Sequence, residues 1–314
     1  MTVIDLHTLK QASAPKECVL CLGNFDGIHI GHRALVDETL ARCERLKAEF
    51  PEVKSGAWFF ARSPYDIITK SVTPRLTDIS QKLEIFSSLG LDLAFIFDYE
   101  EIGGYSPDRF VKETLKEKCG CIFAVCGYNF KFGKGAAGDK DSLFDLMGGM
   151  ASSVNQVCLD GKRVCSSEIR RLIAAGSIEE ANELLGRCYS IHGKVLHGKK
   201  LGRTIGIPTI NQGLGMDIAI PKNGIYVTRV YIDGECFPSV SNVGVRPSVE
   251  SDGAVNCETH ILGFDGEIYG KDVKVEFLAR LRDEIKFGSI YELKAQINKD
   301  IENTKNYFEK RREA

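Results

Sequence analysis

Cys18-Val-Leu-Cys-Leu-Gly-Asn-Phe-Asp-Gly-Ile-His-Ile-Gly-His32 decides the fold of the first half of the chain. Cys18–Leu22 is apolar at every position, the mark of a strand covered on both faces. From His32, residues Leu35, Leu40, Leu46 and Phe50 recur at helical spacing up to Phe50. Between strand and helix stand Gly23, Gly27 and Gly31, where backbone can approach a ligand closely. In open parallel sheets the carboxyl end of a strand is where ligands bind, and a following helix N-terminus offers N–H donors suited to phosphate. His29 and His32 would face those phosphates from the helix start. No Gly-Lys-Ser/Thr follows and the GxGxxG spacing is absent, so this is neither a P-loop nor a dinucleotide fingerprint.

Outward from this stretch, Gly56–Ala61, Leu91–Phe97, Cys121–Gly127 and Val154–Asp160 are further apolar runs. Helix signals separate them: a capping box at Asp78-Ile-Ser-Gln81 and a proline at the first helical position in Ser106-Pro107. The alternation predicts an α/β fold, an open parallel sheet of Rossmann-like type with helices on both faces. Two short helices follow, Ser166–Ala175 ending at Gly176 and a second ending at Gly186, opened by a capping box at Ser177-Ile-Glu-Glu180. Beyond them lie strands without intervening helices: Tyr189–Leu196, Gly224–Ile232, Cys236–Val243, Cys257–Leu262 and Val273–Leu281. Asp233-Gly234 signals a hairpin and Asp265-Gly266 a turn. The expectation is a small antiparallel β-barrel, capped by a helix over Ser289–Phe308 that docks through Ile290, Leu293, Ile297, Ile301 and Phe308. Two domains result, 1–186 and 187–314.

Composition narrows the function classes. The 314 residues carry 41 Lys+Arg against 43 Asp+Glu, a net charge of −2, so no broad nucleic-acid surface is expected. No apolar run approaches the ~20 residues of a membrane span, and the opening residues lack a basic region leading into an apolar one, which points to a cytoplasmic location. The 11 cysteines fit a reducing compartment. Cys18, Cys21, Cys119, Cys121, Cys126 and Cys158 lie in apolar runs and read as small packing residues, Cys18-Val-Leu-Cys21 included. The 31 glycines cluster beside His, Arg, Asn and Thr.

The HxGH pattern of residues 29–32 resembles the nucleotidyltransferase superfamily. Gly127-Tyr-Asn-Phe-Lys-Phe-Gly133 with Gly138-Asp139 looks like that group's aromatic loop, and Ser166-Ser-Glu-Ile-Arg170 like its Ser-Ser/Thr-x-Ile-Arg helix start. Gly202-Arg-Thr-Ile-Gly-Ile-Pro-Thr-Ile-Asn211 and Cys257-Glu-Thr-His260 match a flavokinase module, as do Asn242-Val-Gly-Val-Arg-Pro247 and Arg280–Phe287. Together, from about residue 16 to 308, the chain resembles the bacterial bifunctional riboflavin kinase/FAD synthetase family.

That resemblance implies two ATP-dependent, Mg²⁺-requiring steps, riboflavin to FMN and then FMN to FAD with release of pyrophosphate. It places Gly23, Phe25, Asp26, Gly27, Gly31, Asn129, Ser166, Ser167 and Arg170 at the nucleotide of the adenylyl site, with His29 and His32 catalytic. At the kinase site it places Gly202, Arg203, Gly206, Pro208 and Thr209 at nucleotide, and Thr209 and Asn211 at Mg²⁺. Glu258 becomes the base that takes the proton of the riboflavin hydroxyl. Phe130, Phe132 and Arg282 are implied flavin contacts.

Taken singly, several of these residues have plainer readings: Ser166 as a helix cap, Arg170 as a solvated charge, Pro208-Thr209 as a strand start, Glu258 as an outward strand residue. One segment departs from the family. Where a Thr-Phe-Asp-Pro-His-Pro-like segment is usual after the second strand, this chain reads Phe59-Phe-Ala-Arg-Ser-Pro64, without the Asp and His. An active kinase with a weakened adenylyl half, and a non-catalytic flavin-nucleotide sensor, are the alternative readings.

Overall fold

The computed structural model describes residues 1–5, 16–196, 206–215, 217–245 and 255–311. They divide into two compact units, Met1–Ser166 and Ser167–Ala314. The elements of the first unit begin with β1 (Thr2–Asp5), β2 (Cys18–Leu22), α1 (Ile30–Leu46), β3 (Lys54–Phe60), α2 (Pro64–Thr69), α3 (Ile79–Ser88) and β4 (Leu93–Phe97). There follow α4 (Tyr99–Ile102), α5 (Pro107–Arg109) running into a π-helical segment Phe110–Lys118, β5 (Cys121–Gly127), β6 (Lys131–Phe132), β7 (Gly138–Asp139), α6 (Lys140–Leu146), β8 (Ala151–Val154), β9 (Cys158–Leu159) and β10 (Lys162–Arg163).

The main sheet runs β1-β4-β3-β2-β5-β8 with every pairing parallel. Because strand side chains alternate, β2 feeds two cores. Cys18, Leu20 and Leu22 join Trp58, Phe97, Phe110, Leu115 and Leu143 on one face. Val19 and Cys21 join Leu35, Val36, Phe59 and Phe86 on the other. Both faces are thus covered by helices, which is why the run is apolar throughout. The connections leave β2 toward β3 and β4 on one side and reach β5 and β8 on the other, so the order reverses between β2 and β5. The loops after these two strands flank that switch point, where open α/β sheets form their ligand crevice.

The second unit opens with α7 (Ser166–Ala175), whose first residue closes the first unit, and α8 (Ile178–Leu185). Strands β11 (Tyr189–Lys194), β12 (Ile210–Leu214), β13 (Gly224–Ile232), β14 (Glu235–Val245), β15 (Val255–Ile261) and β16 (Asp272–Arg282) precede α9 (Ile290–Lys310). They pair antiparallel in the order β11-β16-β13-β14-β15-β12. A Leu196–Asn211 bridge brings β11 and β12 together and nearly closes the barrel. Its interior holds a hydroxyl ladder, Thr228 to Ser239 and Ser241, and Ser241 to Thr259, at 2.7–2.8 Å.

The structure corrects several sequence expectations. Val154–Asp160 is not one strand: β8 ends at Val154 and Cys158 begins a separate hairpin with β10. Asp160-Gly161 adopts positive φ at both residues, 49° and 74°, the geometry of a tight hairpin turn that the sequence reading runs through as strand. Cys158 is accordingly exposed. The capping box at Ser177 does not form. Gly176 (φ 85°) ends α7, and the Ser177 N–H donates to the Leu172 carbonyl while that of Gly176 donates to Ile173. Closing the preceding helix thus commits the N–H that the reciprocal box needs. Helix α1 starts two residues before His32 and stops at Leu46 rather than Phe50. On α9, Ile290 is exposed, and the buried positions are Asp300 and Thr304. Strands β1, β6, β7 and β10 were not anticipated from the sequence, and β12 follows the strand start that was the plainer reading of Pro208-Thr209. The capping box at Asp78 and the Ser106 cap on Arg109 N–H form as expected.

Candidate active sites

His29 caps α1: its Nδ1 accepts the His32 N–H at 3.2 Å. The two imidazoles stack at 3.7 Å between centroids and 11° between planes, so the turn of helix that separates them aims both rings at one place. The cap explains the glycine at 31, where a Cβ would stand 3.1 Å from His29 Nδ1. Gly23, Asn24, His29, Gly31 and His32 form one wall of a cavity of about 560 Å³. The loop after β5 forms another, with Tyr128, Asn129, Phe130 and Phe132; the rings of Phe130 and Phe132 stack at 5.6 Å. Trp58, Phe60, Tyr99 and Phe110 line the apolar end, while Lys131, Arg163 and Ser166 add polar groups. The charged residues of the lining are cationic, and no carboxylate is among them. An apolar slot with a cationic, N–H-rich end suits an aromatic phosphate ester.

Phe25, Asp26 and Gly27 do not line this cavity. Phe25 is fully buried and packs edge-on to Phe86 at 5.2 Å. The Asp26 carboxylate accepts the N–H groups of Leu76 and Thr77, and the Gly27 N–H donates to Thr77 Oγ1. These residues shape the turn from behind. They hold Phe25 at φ 51° and Ile28 at φ 36°, conformations that cost bulky side chains on the order of 1–3 kcal/mol each and persist only when surrounded by fixing contacts. Ser166 joins the same clasp, donating through Oγ to the Asp26 carbonyl at 2.8 Å. Ser167 and Arg170 lie on the first turns of α7.

The sequence reading missed Lys82. It sits at the centre of the covered face of α3, one turn before Phe86, and is 6% exposed. Its Nζ donates to the Asn24 carbonyl at 2.8 Å and lies 5.1 Å from the centre of the Phe59 ring. Burial pushes its pKa down to about 8, partly opposed by Asp26. The only sequence signal was a lysine in register with Phe86 at i,i+4.

In the second unit, Thr209 and Asn211 reach the edge of β12, where Asn211 is paired with Glu258 across the strands. Asn256 ties them together, its Nδ2 donating to Asn211 Oδ1 at 2.8 Å and to Glu258 Oε1 at 3.4 Å. His260 Nδ1 donates to the Pro208 carbonyl at 2.7 Å, which fixes the tautomer and the path of the segment. Thr209 lines two cavities. One, about 270 Å³, also carries Asn242, Glu258, His260, Arg282 and Phe287. The other, about 420 Å³, carries Val195, Pro208, Phe264 and Tyr269. Arg282 reaches the first cavity already engaged, since its Nε and Nη2 bind Asp300 of α9 at 2.6–3.2 Å. Gly206 is in an exposed turn at φ 80°. Gly202 and Arg203 lie outside the described residues, as do Arg246 and Pro247. Among the described residues no cluster of three or more His, Cys, Asp or Glu is set to hold a metal ion.

A doubly wound α/β unit with paired histidines at its switch point, joined to an antiparallel barrel with an Asn–Glu pair, defines a two-unit protein with a cavity in each unit. Comparison with known proteins agrees in both halves. A family profile described as FAD synthetase matches residues 11–168, and one described as riboflavin kinase matches residues 185–308. The bifunctional riboflavin kinase/FMN adenylyltransferase of Pseudomonas fluorescens is 35% identical over 303 residues, 95% of each chain. That of Haemophilus influenzae is 34% identical over 298 residues, 93% of this chain and 94% of its own. A solved structure of a Streptococcus pneumoniae protein described as a macrolide-efflux protein superposes with a TM-score of 0.86 at 27% identity, covering 98% of this chain and 99% of that one. Among the described residues no helix is long and apolar enough to cross a membrane. The chain belongs to the bifunctional riboflavin kinase/FMN adenylyltransferase family.

Proposed function

We propose that the chain phosphorylates riboflavin to FMN in its second unit and transfers AMP from ATP to FMN in its first. The observation that carries this reading is that each unit has its own cavity, one around His29 and His32, the other around Thr209 and Glu258. Functionally, residues 1–186 make the adenylyl half and 187–314 the kinase half. The family profiles leave α7 and α8 almost entirely between them.

In adenylyl transfer an FMN phosphate oxygen attacks the α-phosphorus of ATP, a new P–O bond forms, and the bond to the β-phosphate oxygen breaks to release pyrophosphate. Positioning and charge neutralisation carry such a step. His29, His32 and the N–H groups opening α1 would take the charge that builds on the phosphates. Asn129 and Ser166 would add polar contacts to nucleotide, and Phe130 and Phe132 an aromatic surface for the flavin. In the kinase step Glu258 accepts the proton of the riboflavin 5′-hydroxyl as its oxygen attacks the γ-phosphorus and ADP leaves. The flavin occupies the cavity shared by Glu258 and Arg282, the nucleotide the one beside Pro208 and Tyr269, with Thr209 between them. The Thr209 hydroxyl, the Asn211 amide oxygen and nearby phosphates form a hard-oxygen set that suits Mg²⁺, which supplies neutralisation of phosphate charge when bound. Eleven free cysteines support a cytoplasmic location.

Incubation with Mg-ATP and either riboflavin or FMN, followed by chromatographic separation of the flavins, tests the reading. FMN from the first and FAD from the second are expected. FMN without FAD would leave a kinase with a silent adenylyl half, as the segment after β3 allows: Phe60 and Pro64 line the cavity where the family pattern carries Asp and His nearby. No turnover of either would leave a flavin-nucleotide sensor.

A further inference from the structure

Lys82 presents a problem that packing alone does not solve. An ammonium buried under α3 is costly, and a methionine would fill the same space without that cost. Among the described residues its one short polar contact is to the Asn24 carbonyl, at 2.8 Å. A trans peptide points its carbonyl and amide in opposite directions, so this bond turns the Asn24–Phe25 N–H away from α3. Gly23 and Asn24 are cavity wall, and the next residue is held at φ 51°. The turn is otherwise held by the Gly23 N–H on the Trp58 carbonyl, by the Asp26 and Thr77 contacts one or two residues further on, and by Ser166 on the Asp26 carbonyl. Among the described residues, Lys82 is the side chain that grips Asn24, the wall residue next to Gly23.

We propose that Lys82 is a positioning residue for adenylyl transfer: its buried ammonium fixes the Gly23–Asn24 turn that faces the nucleotide phosphates. The inference rests on the reading of this cavity as the adenylyl site. The charges around Lys82 are Asp26 on the turn, Arg75 before α3 and Asp78 at its N-cap, with the Phe59 ring of β3 on the remaining side. Asp26 and Asp78 favour the ammonium, whereas burial and Arg75 oppose it. The charged form that grips Asn24 is therefore the one lost on moderate alkalinisation, because the lysine titrates near pH 8.

The test is Lys82→Met in the full chain, with the kinase activity of the same molecules as the control for folding. FAD formation from FMN is expected to fall roughly 10- to 100-fold, the scale of a small misplacement of reacting groups. Riboflavin phosphorylation and the thermal midpoint should be kept or raised. The wild-type pH profile of FAD formation should descend above pH 8, and that limb should be missing in the variant. Lys82→Arg, which retains a cation, should recover part of the rate. Wild-type FAD formation in K82M overturns the proposal, as does a descending limb common to both proteins or a wild-type profile flat through pH 9.5. Parallel loss of kinase activity and thermal midpoint also overturns it, since Lys82 would then be a folding residue. If the wild-type chain forms no FAD at all, the site reading fails and the proposal with it; normal turnover by K82M fails the proposal alone.

Discussion

Glu258 and His29 show how far a single side chain depends on what surrounds it. A glutamate on a strand reads as solvated, yet Asn256 holds this one beside Asn211 at the mouth of a cavity. Glu258→Gln keeps the shape and removes the proposed base, so FMN formation should fall about 10²–10⁴-fold while FAD formation from added FMN continues, as flavin chromatography would show. His29→Ala removes both the ring proposed to face the phosphates and the cap of α1. FAD formation should drop roughly 10²–10³-fold, the usual effect of losing one charge-stabilising donor, with riboflavin phosphorylation unaffected. His29 and His32 were legible because helical spacing and a glycine-rich strand end leave them few other roles. Lys82 was not, because nothing local distinguishes a lysine that is buried from one that is solvated.

Among the elements, α9 carries an unexpected device. Its apolar stripe suggested ordinary docking, but its buried centre is Asp300, 2% exposed and paired bidentately with Arg282 of β16. Gln296 donates a further bond to the same carboxylate at 3.0 Å. Asp300→Ala would strand the Arg282 guanidinium in a largely buried position, and removing one partner of such a pair costs on the order of 3–5 kcal/mol. A clear fall in the thermal midpoint is expected, together with weaker riboflavin binding, since both residues line the cavity proposed for the flavin. On α3 the sign is opposite. Lys82 is harder to protonate in the fold than in the unfolded chain, with a pKa near 8 against the usual 10.5. Below pH 8 both states carry the charge and the folded state bears its full cost. As pH rises from 8 to 10.5 the unfolded chain binds more protons, so stability from this group increases. The gain in thermal midpoint of K82M over the wild type should therefore be largest at pH 7 and shrink toward pH 10.5.

For the molecule as a whole, two sites built from separate stretches of chain predict separable activities. Each single variant, His29→Ala or Glu258→Gln, should silence one step, and the double variant both. Removal of divalent cations with EDTA should stop both steps in the intact chain and restoration of Mg²⁺ should recover them, as product analysis would show. The amino-acid sequence by itself determined the two architectures, because strands covered on both faces must be apolar throughout and hairpin strands must not; it marked the His pair by local composition, and the Asn129 loop and the Thr209–Asn211 segment by their resemblance to family motifs. Only the tertiary structure decided which marked residues face a cavity: Phe25, Asp26 and Gly27 turned out to brace the loop from behind, whereas Trp58 and Arg163 joined its cavity. Lys82 on Asn24, Asp300 on Arg282 and Asn256 between Asn211 and Glu258 are likewise tertiary facts. Each joins residues distant in the chain or on neighbouring strands, and burial and partnership across such distances are set by how elements pack, which no local pattern encodes.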